Sequence, residues 1–278
     1  MGSGVKLNSC RWYVTMPLEL ALVGGPSCRS HADLTADRCV TVMPQETFFI
    51  SDLYLFCRRF DGERFWDRVL TAAGQAEAFV LGGDIFDFRW TRLATIEETA
   101  EEGLRMLETL VASNRDCEFY FIVGNHDHHE TFLARLECAA WNEPNLSWHP
   151  YFVRLGSSLF LHGDVATRRM DQQALAKERS RWLRSGRKGP VANWLYDLAV
   201  HAHLHQLVYQ IAYPRRAVAR NILTYLERIG HGPGTGIEDV YFGHTHLPLF
   251  GFTYEGVRLH NCGAPVKGCT FRILEDVV

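Results

Sequence analysis

The sequence predicts an α/β fold with buried strands, and three observations predict it. Short apolar runs alternate with stretches of helical periodicity from Glu46 onward. Five of those runs end in polar residues beside Gly or Ser. With 278 residues, 47% hydrophobic and 22% charged, the chain can bury a full core and is neither disordered nor fibrous. Short apolar strands separated by helices are the pattern of sheets covered on their faces.

The elements follow in order. Thr47–Ile50 is an apolar run ending at Ser51-Asp52, and Phe65, Val69, Leu70 and Ala73 then recur at helical spacing. Ala78–Leu81 ends at Gly82-Gly83-Asp84, and Ile96, Ala100, Leu104, Leu107 and Val111 make a helix face. Phe119–Val123 ends at Gly124-Asn125-His126-Asp127, with a helix expected from Glu130 to Trp141. Leu159–Leu161 ends at His162-Gly163-Asp164, and Val240–Phe242 ends at Gly243-His244-Thr245-His246. Leu249–Tyr254, Val257–His260 and Phe271–Leu274 read as strands of a meander around a Glu255-Gly256 turn. In open α/β sheets ligands gather at the carboxyl ends of strands, where these polar residues fall.

The expected organisation is an N-terminal extension over 1–46, a core over 47–164 and 237–278, and a helical basic cap insertion over 165–236. The net charge of −3 excludes a globally basic nucleic-acid binder, but it is unevenly spread. Residues 165–230 hold ten arginines and two lysines against four acids, a net of +8 that leaves −11 on the rest. Such asymmetry points to an anionic substrate, an anionic membrane surface or nucleic acid. No apolar run is long enough to cross a membrane, and the stretch Met16–Gly24 is a poor signal peptide. The eight cysteines form no CxxC pair, which fits a reducing cytosol.

The strand-end residues Asp52, Asp84, Asn125, His162, His244 and His246 offer carboxylate, amide oxygen and imidazole, a donor set that suits Mn, Fe, Zn or Mg. Two ions a few ångströms apart can clamp an in-line displacement at phosphorus and activate a water for it.

Taken together, Asp52-x-Tyr54, Gly83-Asp84, Gly124-Asn125-His126-Asp127, His162-Gly163-Asp164 and Gly243-His244-Thr245-His246 resemble, in order, the motifs of the calcineurin-like metallophosphoesterases. The resemblance implies a four-layer α/β/β/α sandwich of two mixed sheets. It implies two divalent or mixed-valence ions, Mn or Fe before Zn, and attack of an activated water on phosphorus. Asp52 and His246 would hold the first ion, Asn125, His162 and His244 the second, and Asp84 would bridge them. His126 would act on the reacting group, Asp127 would orient it, and Asp164 would orient a histidine ligand.

One position departs from the pattern, since that family usually has a histidine where Tyr54 stands. Three readings of Tyr54 stand open: a ligand, favoured by a trivalent ion; a group behind the ligands; or the loss of the first metal site. The resemblance offers a partial precedent for a tyrosinate ligand, since purple acid phosphatases use one on iron, but from another motif, whose matching position here is Asp87.

Gly82-Gly83-Asp84-Ile85-Phe86-Asp87-Phe88 with Trp90, the ending at Pro248 and the helical insertion look like the UDP-2,3-diacylglucosamine hydrolases of the lipid A pathway and their relatives. That resemblance implies a pyrophosphatase acting on an acylated UDP-sugar. Arg59, Arg89, Arg168, Arg169 and Arg181 are the expected phosphate contacts. Trp182, Trp194, Leu195, Leu198 and Leu207 could line an acyl groove, or pack against the core or one another. His126 stands where the best-known lipid A enzymes have Arg. The expected location is the cytoplasm, peripheral to the inner face of a membrane. Two alternatives are kept: a phosphodiesterase or phosphatase on a soluble nucleotide, and a non-catalytic binding protein that lost the first metal through Tyr54.

Overall fold

Each of the five apolar runs forms a strand. In this computed structural model, residues 46–189, 192, 212–266 and 269–277 are described. The N-terminal extension through residue 45, and Trp194, Leu195, Leu198 and Leu207, lie outside them. The first half runs β1 (Glu46–Ile50), α1 (Glu63–Ala73), β2 (Ala78–Leu81), α2 (Ile96–Ser113), β3 (Glu118–Ile122), α3 (Glu130–Asn142) and β4 (Leu146–His149). The second half runs β5 (Phe152–Leu155), β6 (Ser158–Leu161), α4 (Gln172–Ser180), α5 (Arg215–Arg228), β7 (Asp239–Phe242), β8 (Leu249–Tyr254), β9 (Val257–Asn261) and β10 (Leu274–Val277).

Two five-stranded mixed sheets result, ordered β10-β1-β2-β3-β4 and β5-β6-β7-β9-β8. In the first, β1 to β4 are parallel and β10 pairs antiparallel with β1. In the second, β6, β7 and β9 are parallel, with antiparallel edges β5 and β8. The sheets share an aromatic seam: the Phe49 ring lies 5.8 Å from Phe160 and 5.9 Å from Tyr241. Helices α1, α2 and α3 bury Val69, Leu107, Leu110 and Phe132 in the same core as the first sheet. A second core joins Leu161, Val240, Phe242 and Leu259 of the second sheet to α4 and α5. The architecture is the expected α/β/β/α sandwich of mixed sheets.

Helix starts follow local chemistry. Thr95 accepts from the Glu98 amide at 3.0 Å, and Glu98 accepts from the Ala94 amide at 3.0 Å, closing the N-terminus of α2. Asp171 caps α4 through the Ala174 amide at 2.8 Å.

One expectation needs correction. The last strand does not extend a meander. β10 begins at Leu274 and crosses to the first sheet, with Leu274 opposite Phe49, while Phe271 makes only an isolated bridge to Gly263. At the described ends of the 165–236 segment, α5 buries Val218, Ala219, Ile222, Leu223 and Leu226 against the second sheet, and α4 buries Leu175 there. An amphipathic helix follows its apolar face, and that face belongs to the core. The short strands β4 and β5 escape the sequence reading because their burial is mixed and their runs brief.

Candidate metal centre

The turns after β1 and β2 are joined by backbone bonds, Asp52 N–H to Gly83 O at 3.0 Å and Tyr54 N–H to Asp84 O at 3.0 Å. Those after β6 and β7 are joined by Gly243 N–H to His162 O at 2.8 Å. Four strand ends from two sheets therefore converge on one spot. Asp52, Tyr54, Asp84, His244 and His246 all adopt positive φ, between 50° and 65°. Such backbone costs about 1–3 kcal/mol per residue and persists where the surroundings over-determine it. The close approach depends on glycine: a Cβ on Gly124 would stand 2.2 Å from Asp84 Oδ1, and one on Gly243 1.9 Å from Ser51 Oγ.

Asp84, His162 and His244 bring one ligand atom each within 4.8 Å of one another. Asn125 Oδ1 completes the group, 3.2 Å from His162 Nε2 and 3.0 Å from His244 Nδ1. His162 Nδ1 rests on the Gly82 carbonyl at 3.0 Å, which turns Nε2 into the centre. Asp52 accepts the His244 amide at 3.0 and 2.9 Å, tying the two sheets across the site. Tyr54, only 3% exposed, sends its hydroxyl into the other half of the site. Its Oη lies 3.3 Å from Asp52 Oδ1, 2.8 Å from Asp84 Oδ2 and 2.7 Å from His246 Nε2.

The electrostatics suit a cation. Burial disfavours charge on His162, yet Asp84 and Asp164 outweigh it and raise its pKa to about 10. Burial likewise opposes charge on Asp84, but His162 and His126 hold its carboxyl well below the usual range. Buried carboxylates that pull protons onto buried imidazoles will also hold a divalent ion. Two imidazole nitrogens, an amide oxygen and a carboxylate therefore fit such an ion at Asp84, Asn125, His162 and His244.

His126 faces this centre, and its amide donates to Asp84 Oδ1 at 2.7 Å. Its Nδ1 lies 3.1 Å from Asp87 Oδ1. Burial works against its charge, but Asp87 and Asp84 raise its pKa to about 9. The orienting role expected of Asp127 therefore falls to Asp87. Asp127 instead accepts backbone N–H groups from Gly124 at 2.6 Å and Ile85 at 3.0 Å, and so shapes the turns. Asp164 does not orient a histidine either: it pairs with Arg179, whose Nη2 donates to Oδ2 at 2.6 Å. The sequence reading passed over Arg179 among its many arginines, and only burial sets it apart.

The expected phosphate contacts separate into two groups. Arg59 is buried, with its guanidinium 4.9 Å above the Trp90 ring. Arg89 lies 4.5 Å over the ring of Trp182, which in turn lies 5.0 Å from His126. Arg168, Arg169 and Arg181 are on the surface, and Arg168 is held by Glu178 at 2.6 Å. The segment carrying Trp182 is tied down by Lys188 N–H to Arg89 O at 2.9 Å and Glu130 N–H to Leu183 O at 3.1 Å. Cys262 is no nucleophile, because burial pushes its thiol up to about 12.

Residues 47–248 match the family model for calcineurin-like phosphoesterases. The chain belongs to that family. It is accordingly a metal-dependent phosphoesterase, a hydrolase of phosphoester bonds, and the donor set above is where this calcineurin-like phosphoesterase can hold metal. No curated protein matches it by sequence. Among solved structures it is similar to a dimetal phosphatase from Danio rerio, at 11% identity and a TM-score of 0.42, over 84% of this chain and 95% of that one. It is also similar to Yfce, a phosphoesterase from E. coli, at 14% identity and a TM-score of 0.34, over 80% and 82%.

Proposed function

We propose that this phosphoesterase cleaves a pyrophosphate or phosphodiester bond in an anionic substrate of the acylated nucleotide-sugar class. The observation that carries the reading is the grouping of Arg89, Trp182 and His126. A guanidinium stacked on an indole, 5.0 Å from the histidine, offers a second phosphate a fixed cation beside the reacting one. Arg59 over Trp90 adds a second such pair. The net charge of +8 over 165–230 supports an anionic substrate in the same direction.

A bound divalent ion, Mn or Fe before Zn, supplies Lewis acidity and lowers the pKa of a water. The protein's own groups do the rest. Asp84, Asn125, His162 and His244 would hold the ion. Asp87 holds the His126 Nδ1 and, against burial, favours its charged form, so that the other ring nitrogen could protonate the leaving oxygen.

The exposed Arg168, Arg169 and Arg181 support contact with an anionic membrane surface, in the cytoplasm and at the inner face of the membrane. Binding to anionic vesicles that fades with salt is expected, and binding to nucleic acid instead would redirect this part of the reading. A soluble nucleotide is the second reading, favoured by the close packing of the Trp182 segment on the core.

The test is hydrolysis by metal-stripped protein resupplied with Mn²⁺ or iron, on a generic diester and on a UDP-linked acyl sugar. Activity lost in Asn125→Ala and a preference for the acyl sugar support the proposal. Equal turnover of non-acylated nucleotides favours the soluble substrate. No turnover with any metal, from folded protein, refutes catalysis and leaves a binding protein.

A further inference from the structure

The calcineurin-like family usually has a histidine where this chain has Tyr54, and Asp52, Asp84 and His246 all stand around that position. Tyr54 Oη is 2.7 Å from His246 Nε2, 2.8 Å from Asp84 Oδ2 and 3.3 Å from Asp52 Oδ1. These are hydrogen-bond lengths, and the three partners are the groups that would otherwise surround the first ion. We infer that the Tyr54 hydroxyl stands in place of that ion, so that this chain holds a single ion, between Asp84, Asn125, His162 and His244.

Side-chain length supports this directly. A phenol oxygen lies about 2 Å further from its Cβ than an imidazole Nε2 does, which is about one metal–nitrogen bond. Exchanging His for Tyr on the same backbone therefore replaces nitrogen and ion together by one oxygen. The hydroxyl also meets the needs of its neighbours without a cation, because it can donate to the Asp84 carboxylate and share a hydrogen bond with His246 Nε2.

The ring cannot easily swing clear. It is packed 4.0 Å from Phe60, with His246 at 5.3 Å and His126 at 5.0 Å edge-on. Among the described residues, the trio of acidic, imidazole or thiol groups that gathers within 4.8 Å is Asp84, the expected bridge, with His162 and His244. His246 meets the tyrosine hydroxyl, while Asp52 accepts the His244 amide and lies 3.3 Å from that hydroxyl.

The inference rests on the metal-site reading above, and the experiment separates the two. Protein stripped by chelator is reloaded with excess Mn²⁺, freed of unbound ion by gel filtration, and assayed for metal per chain by plasma mass spectrometry. The wild type should carry about one ion, and Tyr54→His should double this to about two. His246→Ala and Tyr54→Phe should keep about one ion, since neither group would touch it, and Asn125→Ala should lose it. Two ions in the wild type, with one lost in His246→Ala, would overturn the inference and leave the metal enzyme standing. A visible tyrosinate charge-transfer band after ferric loading, absent in Tyr54→Phe, would overturn it as well. No ion in any form would remove both. Should Tyr54→His fail to fold, as judged by its melting curve, the counts for wild type, His246→Ala and Tyr54→Phe still decide.

Discussion

Replacing Arg179 by Met should cost the fold about 3–5 kcal/mol, the usual loss when one partner of a buried ion pair is removed. The side chains of Arg179 and Asp164 are 3% and 7% exposed and meet at 2.6 Å. Arg179 also donates to the Pro150 carbonyl and lies 5.4 Å over the Tyr151 ring. Methionine keeps most of the aliphatic stem, so little cavity term enters, and the loss measures an abandoned carboxylate. Burial alone would push the Asp164 pKa up, but Arg179 and His162 hold it well below the usual range. A depressed carboxylate stabilises the fold above its unfolded pKa of about 3.9, and that stability is lost as pH falls toward the folded value. In Arg179→Met the largest favourable charge is gone and burial acts with less opposition. The penalty is then full at neutral pH and shrinks as the carboxyl takes a proton. Urea unfolding in chelator at about pH 7 and about pH 5 should show the gap to wild type narrowing, through the midpoint at constant m. A cycle with Asp164→Asn should return a coupling of about 1–3 kcal/mol. A loss below about 1 kcal/mol, the range of exposed pairs, or a gap indifferent to pH would refute the reasoning.

Asp87→Asn removes the carboxylate that, against burial, raises His126. The His126 proton should then leave at lower pH, shifting the alkaline limb of the rate profile downward and cutting kcat by about 10-fold or more. Gly124→Ala should lower both metal content and melting temperature, because the new Cβ meets Asp84 Oδ1 at 2.2 Å. Gly186→Ala, with nothing within 4 Å, should leave both unchanged. Phe132→Ala should lose about 3–5 kcal/mol in urea unfolding, since the ring is fully buried with Phe88 at 5.1 Å and Phe86 at 5.5 Å.

Much of the site was legible in the chain because its chemistry is written at strand ends. Asp84, Asn125, His162 and His244 each follow a short apolar run, and the strands β2, β3, β6 and β7 carry them to one spot. The same alternation of runs and helices sufficed for the α/β class and for α1, α2 and α3. Local order was enough there, since strand, glycine turn and polar residue are consecutive in sequence.

Partners chosen across space were not legible. Asp127 adjoins His126 in the chain, yet the ring turns to Asp87, because Asp127 is committed to two backbone amides. Arg179 looks like any other arginine of a basic segment until its burial against Asp164 is seen. β10 reads like one more strand of a hairpin series but leaves for the other sheet. The sequence alone offered a set of candidate metal ligands, and its resemblance to the family set Tyr54 where a histidine is usual. The tertiary structure alone decided where the Tyr54 hydroxyl goes. Residue type sets what an atom can do, while the packing of two sheets sets what lies 2.7 Å away from it.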